Sequence, residues 1–205
     1  MSDGDGDCDC SCLCCCLCDD RSRGSAHTPH RCLLLLLLLA AILVAAFAFV
    51  LHVRAAVEDA SLARLALAGP NGTMLSYDIS LAVAVHNRNW AMHARVGAPL
   101  DAELLFAGER FASIRMRGRS HGYIRPWKKE VYKVAASGES AAPLGSVGVA
   151  EFVKESAAAG VFRLQLKLAG EVKYPPHGDA HRLEATCPLE LPLSSPARFK
   201  KIKCV

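Results

Sequence analysis

Eight of the ten cysteines crowd into residues 1–32: Cys8, Cys10, Cys12, Cys14, Cys15, Cys16, Cys18 and Cys32. Thiols beside a membrane boundary suit S-acylation, which makes Cys32 and Cys18 acylation candidates. The run Cys8-x-Cys10-x-Cys12-x-Cys14 offers thiolates to a soft metal, but no paired knuckles at zinc-finger spacing complete it, so no metal site is assigned. The bland alternative is a disordered tail of biased composition, with Gly, Asp and Ser between the cysteines. The other two thiols, Cys187 and Cys204, would form one disulfide in an oxidising compartment or otherwise stay unpaired.

Asn71-Gly72-Thr73 fits the N-glycosylation sequon and sits among turn residues, so Asn71 is a glycosylation candidate. Between Arg110 and Lys133 stand eight basic residues opposed by Glu130 alone. Arg115, Arg117, Arg119, Arg125, Lys128 and Lys129 form a candidate anion-binding set, with a solvated loop face as the plain alternative. Acidic wall polysaccharide, lipid headgroups or an acidic protein would suit it; nucleic acid would not be met outside the cytosol. His177-x₃-His181 has a metal-like spacing without the cysteines to complete it. No Gly-x-Ser-x-Gly, phosphate loop or His-Glu-x-x-His occurs, so the chain is read as non-enzymatic, with no catalytic residues and no cofactor.

Which of these chemistries operates depends on the elements that carry them. Residues 33–51 are apolar throughout, roughly 28 Å of helix, and a transmembrane helix is expected over residues 33–53. Arg21, Arg23 and Arg31 precede it and Arg54 follows, which predicts residues 1–32 as a cytosolic tail and 54–205 as an extracytosolic domain, most simply at the plasma membrane. The lipid bilayer is then the first expected partner. Of the 24 basic and 20 acidic residues, 20 and 14 lie within 55–205, a formal net charge of +6 there.

Residues 60–205 read as strands. Leu75, Tyr77, Ile79, Leu81, Val83 and Val85 alternate with smaller residues at period two. Phe162, Leu164, Leu166 and Leu168 alternate with polar residues and continue past Gly170 to Val172 and Tyr174. Leu183–Leu193 contains Pro188 and Pro192, as an edge or bulged strand would. Weaker strands are expected at Ser61–Leu67, Ala102–Phe106, Glu130–Val134 and Ser146–Phe152, with Val153–Ala159 the one helical competitor. Turn residues at Gly69–Gly72, Gly97–Pro99 and Tyr174–Gly178 separate them, which predicts an antiparallel sandwich or barrel.

With these pieces in place, the chain resembles the plant harpin-induced-like and non-race-specific-resistance-like membrane proteins, which carry a late-embryogenesis-abundant group-two domain. The resemblance covers roughly residues 30–205. It rests on the basic flank and apolar run, the strand Leu75–Val85 entering His86-Asn87-Arg88-Asn89, the Ala107-Gly108-Glu109 hairpin, the strand Leu164–Tyr174, and the pair Cys187 and Cys204. Arg88 stands where the family has proline in an Asn-Pro-Asn-like turn. The resemblance implies an immunoglobulin- or fibronectin-like antiparallel β-sandwich and a role in plant defence or stress response at the plasma membrane. Two functions are expected: a membrane-anchored protein that binds a partner through the sandwich, or a stress-protective, lipid-associating domain without a specific protein ligand.

Overall fold

The computed structural model describes residues 28–48, 50–97, 99–117, 122–158, 160–175, 178–193 and 199–205. The chain divides into two compact units at Ala48/Phe49.

In the first unit, α1 (Thr28–Ala48) is a helix of 21 residues. The expected transmembrane helix over 33–53 needs correction. The helix stops at Ala48, and Leu51 and Val53 belong to the β-domain, where Val53 is part of the core. The apolar stretch of α1, Leu33–Ala48, covers roughly 24 Å of helix against a hydrocarbon layer of about 30 Å. Among the described residues, no helix is long and apolar enough to cross a membrane.

The second unit holds two antiparallel sheets. One runs β10 (Ile202–Lys203), β1 (Arg54–Ala68), β2 (Met74–His86), β7 (Lys129–Glu139). The other runs β5 (Glu109–Met116), β4 (Leu100–Phe106), β8 (Val161–Lys173), with β9 (Ala180–Pro192) on the far side of β8. β8 is long enough to pair β4 through Leu164–Ala169 and then β3 (Ala94–Val96) through Val172 and Lys173; β6 (Tyr123–Ile124) pairs β3 in turn.

Alternation explains the packing. In β8, Phe162, Leu164, Leu166, Leu168 and Val172 are buried, and their polar neighbours are exposed. These meet Leu62, Leu65, Leu75, Ile79, Leu81 and Val83 of the opposite sheet in one core. Gly170 breaks the side-chain row for a steric reason: a Cβ there would lie 2.4 Å from Leu100 Cδ2. Two further devices shape the strands. Register shifts in β1 lie between Val57 and Asp59 and between Leu62 and Arg64. A two-residue turn, Ala107-Gly108, has both residues at positive φ (50° and 87°) and closes the β4–β5 hairpin.

Ser146–Phe152 is not a strand. It opens α2 (Ser146–Ala158). The Val147/Val149 alternation suggested period two, but the continuing Ala-rich sequence favours a helix, and Val149 and Phe152 turn toward the core. Phe152 stacks on Phe162 with ring centroids 5.3 Å apart, and both approach Phe106 at 6.3 Å.

Candidate functional site

Two asparagines organise one end of the β-domain. The strand β2 delivers Asn87 and Asn89 into the interior, 0% and 2% exposed. Asn87 Nδ2 donates to the carbonyls of Met92 (2.8 Å) and Ile124 (3.1 Å), and its Oδ1 accepts from Asn89 N (3.0 Å) and Nδ2 (3.1 Å). Asn89 grips the backbone of Leu51 from both sides: Oδ1 accepts from Leu51 N and Nδ2 donates to Leu51 O, each at 2.7 Å. Tyr174 Oη accepts from Val53 N at 3.0 Å. Burial pushes the Tyr174 phenol up, and that accepted bond partly offsets the shift. The point where the chain enters the domain is therefore held by β2 and by the residue that follows β8.

The same asparagines set the β6–β7 turn. Asn87 N donates to Lys128 O (2.9 Å), and Trp127 N donates to Asn89 O (3.1 Å). Arg125 and Lys128 lie in this turn and Arg88 between the asparagines. Arg95 of β3 sits over the Tyr123 ring, 5.3 Å from its centroid.

Among the described residues of the expected anion set, two are engaged by carboxylates. Arg115 is engaged by Asp101 (3.1 Å) across the β4–β5 pair. Lys129 is engaged by Glu58, which also receives Lys201 at 3.4 Å. The Lys129 bond holds the Glu58 carboxyl below the usual carboxylate range, against a smaller opposing effect of burial. Arg117 follows β5, and Arg119 lies outside the described residues. Arg125 and Lys128 share the turn that Asn87 and Asn89 fix.

Cys187 and Cys204 form a disulfide, with Cα atoms 4.3 Å apart. It reinforces a seam between the sheets. Cys204 N donates to Ala55 O of β1 (3.2 Å), while Val205 N and O exchange bonds with Thr186 of β9 (2.9 and 2.8 Å). Asn71 is exposed in the Gly69–Gly72 turn, closed by Gly72 N donating to Gly69 O at 3.1 Å. Cys18, the side chain of Cys32 and His177 lie outside what the structure describes. His181 packs edge-on against His52 (5.3 Å) and Tyr174 (5.5 Å). Among the described residues, no group of three or more His, Cys, Asp or Glu is gathered for a metal.

Two depressions interrupt the surface. One, of about 410 Å³, lies between α2 and the β4–β5 turn. Its ionisable groups are spent on each other: Arg163 Nε reaches Glu155 Oε1 and its terminal nitrogen reaches Glu151 Oε1, both at 2.7 Å. Glu155, 6% exposed, also accepts from Arg163 N. These carboxylates hold the Arg163 guanidinium firmly in its charged form. The other depression, about 330 Å³, lies over Ser80, Ala82 and Ala135, with Asp59 and Lys133 beside them.

Sequence reading treated the asparagines as a turn and overlooked Glu155–Arg163. Two polar residues directly after a fully patterned strand were the available signal for the first. A carboxylate and a guanidinium eight positions apart carried none for the second.

No protein-family model matches the chain, and no curated protein matches it. Similar solved structures include Northeast Structural Genomics Consortium target SoR45, with 10% identity over 72% of this chain and 92% of that one and a TM-score of 0.42. A protein from Archaeoglobus fulgidus is 8% identical over 65% and 96%, with a TM-score of 0.32. A proposed late embryogenesis abundant (LEA) protein, solved in solution, is 14% identical over 66% and 72%, with a TM-score of 0.33. Likenesses at these scores assign no function.

Proposed function

We propose that the chain is a non-enzymatic, stress-protective protein whose β-domain associates with lipid surfaces in the manner of the late-embryogenesis-abundant class. One observation carries this reading: within the two-sheet domain, the strand, turn and cysteine segments that resemble that class fall at its structural joints. Leu75–Val85 is the centre of β2, Asn87 and Asn89 form the buried clamp, and Ala107-Gly108 is the β4–β5 turn. Leu164–Tyr174 spans β8 and the phenol that holds Val53, and Cys187 is bonded to Cys204. The late embryogenesis abundant protein among the similar folds points the same way without carrying the reading. The disulfide supports an oxidising, extracytosolic compartment for the domain. The reading as a defence protein that binds a partner at the plasma membrane leaned on a membrane-spanning segment, and no separate observation favours it.

The test is protection of dried vesicles. Phospholipid vesicles loaded with a self-quenched dye are dried and rehydrated with the full chain or with an equal mass of albumin. The proposal expects less leakage with the chain. Leakage equal to that with albumin, together with failure to sediment with vesicles of any composition, would refute it.

A further inference from the structure

The two tryptophans of the chain, Trp90 and Trp127, are both exposed, by 50% and 61%, and both sit at the end organised by Asn87 and Asn89. Trp90 follows Asn89 directly, and Trp127 is bonded through its N–H to Asn89 O. Tyr123, paired with Arg95 in the β3–β6 register, adds a third ring that is 46% exposed. A large aromatic side chain left in water forgoes the stabilisation that burial would give, so two tryptophans at one end call for a partner.

Backbone strain sharpens the point. Arg125-Pro126-Trp127-Lys128 is a turn closed by Lys128 N donating to Arg125 O at 3.1 Å. Its third residue needs positive φ, a place suited to glycine or asparagine. Trp127 occupies it at φ 55°. The largest side chain thus takes a conformation it resists and is then held mostly in solvent. Packing among the described residues does not explain that choice, because there the ring's one aromatic neighbour is His86, 6.4 Å away.

Charge selects the kind of partner. The segments 86–97 and 122–129 contain Arg88, Arg95, Arg125, Lys128 and Lys129 and no acidic residue. Among the described residues, no carboxylate pairs with Arg88, Arg95, Arg125 or Lys128. Rings that prefer a water–hydrocarbon boundary, surrounded by cations, match a bilayer surface whose headgroups carry phosphate. A polysaccharide would meet the cations but leave the rings without an apolar medium.

We infer that this aromatic and basic end is a peripheral membrane-docking surface, in which Trp90 and Trp127 enter the headgroup region of a phospholipid bilayer and the arginines contact lipid phosphate. The inference rests on the lipid-associating reading above and specifies the surface responsible.

Because Trp90 and Trp127 are the two tryptophans present, their fluorescence in the full chain reports on this end alone. Phosphatidylcholine vesicles containing phosphatidylserine, with or without brominated acyl chains, serve as the probe. Blue-shifted emission that brominated lipid quenches is expected. Trp90→Phe and Trp127→Phe should each retain part of the quenching. Trp127→Gly relieves the positive φ, so it should melt no lower than the parent while binding vesicles roughly tenfold more weakly. Arg88→Gln with Arg125→Gln should weaken binding by about fivefold per charge, less in high salt.

Sedimentation with vesicles without quenching would place binding elsewhere on the chain, which sinks this inference and leaves the lipid-associating reading standing. No sedimentation and no quenching would remove both. Unchanged vesicle binding by Trp127→Gly, or binding lost only in step with its melting temperature, overturns the inference.

Discussion

Removing the Asn87 carboxamide would strand the carbonyls of Met92 and Ile124 and two N–H groups of Asn89 in a site that water does not reach. A buried polar group without a partner costs about 1–3 kcal/mol. Asn87→Ala is therefore expected to lower unfolding stability by roughly 3 kcal/mol, read from urea denaturation of the oxidised chain. Tyr174→Phe removes a single acceptor, the one for Val53 N, and should cost about 1–2 kcal/mol. Glu58 gives a pH signature. Its carboxyl is held below the ordinary range, so the stability it contributes is present above that range and lost as pH falls through the lowered value. The bond is near the surface and worth about 0.5 kcal/mol. Glu58→Gln should shift the urea midpoint slightly at neutral pH and leave it unchanged once the pH is below the lowered value. Individual roles of this kind were poorly legible beforehand. Arg115 and Lys129 read as available cations because Asp101 and Glu58 are distant in sequence and meet them only through strand pairing.

Among the elements, β2 and β8 were legible because each buries its large apolar residues at period two, although β2 also buries Ser76 and Ala84 on its other face. α2 was misread over its first turns, where two valines alternate. β3, β6 and β10 are two or three residues long, too short to show a period. The apolar run 33–51 read as one continuous span, yet its last residues are claimed by the Asn89 clamp and not by the helix. The β4–β5 turn offers a direct check on local strain. Ala107 at φ 50° occupies a position that glycine or asparagine fills more easily. Ala107→Gly should raise stability by about 0.5–1 kcal/mol, measured by thermal melting. Gly170→Ala should do the opposite, since the new methyl would meet Leu100 Cδ2 and displace that fully buried side chain.

At the scale of the molecule, the two sheets were legible and their closure was not. The sandwich depends on β1 receiving Cys204 and on β9 receiving Val205, pairings separated by 17 residues at the disulfide and by almost the whole domain at β1. Cys187→Ser with Cys204→Ser should cost about 3 kcal/mol by the loop-entropy estimate. The loss should match that measured for the parent chain after its disulfide is reduced.

That seam also sets a schedule for biosynthesis. β1 is made among the first parts of the domain, and the residues that join it to β9 emerge some 145 positions later. While the ribosome still shields that stretch, β1 and β9 lack this seam and Cys187 lacks Cys204. Closure and oxidation must then follow synthesis of the seam, and a nascent chain stalled before it should be caught by holding chaperones in an open, reduced form.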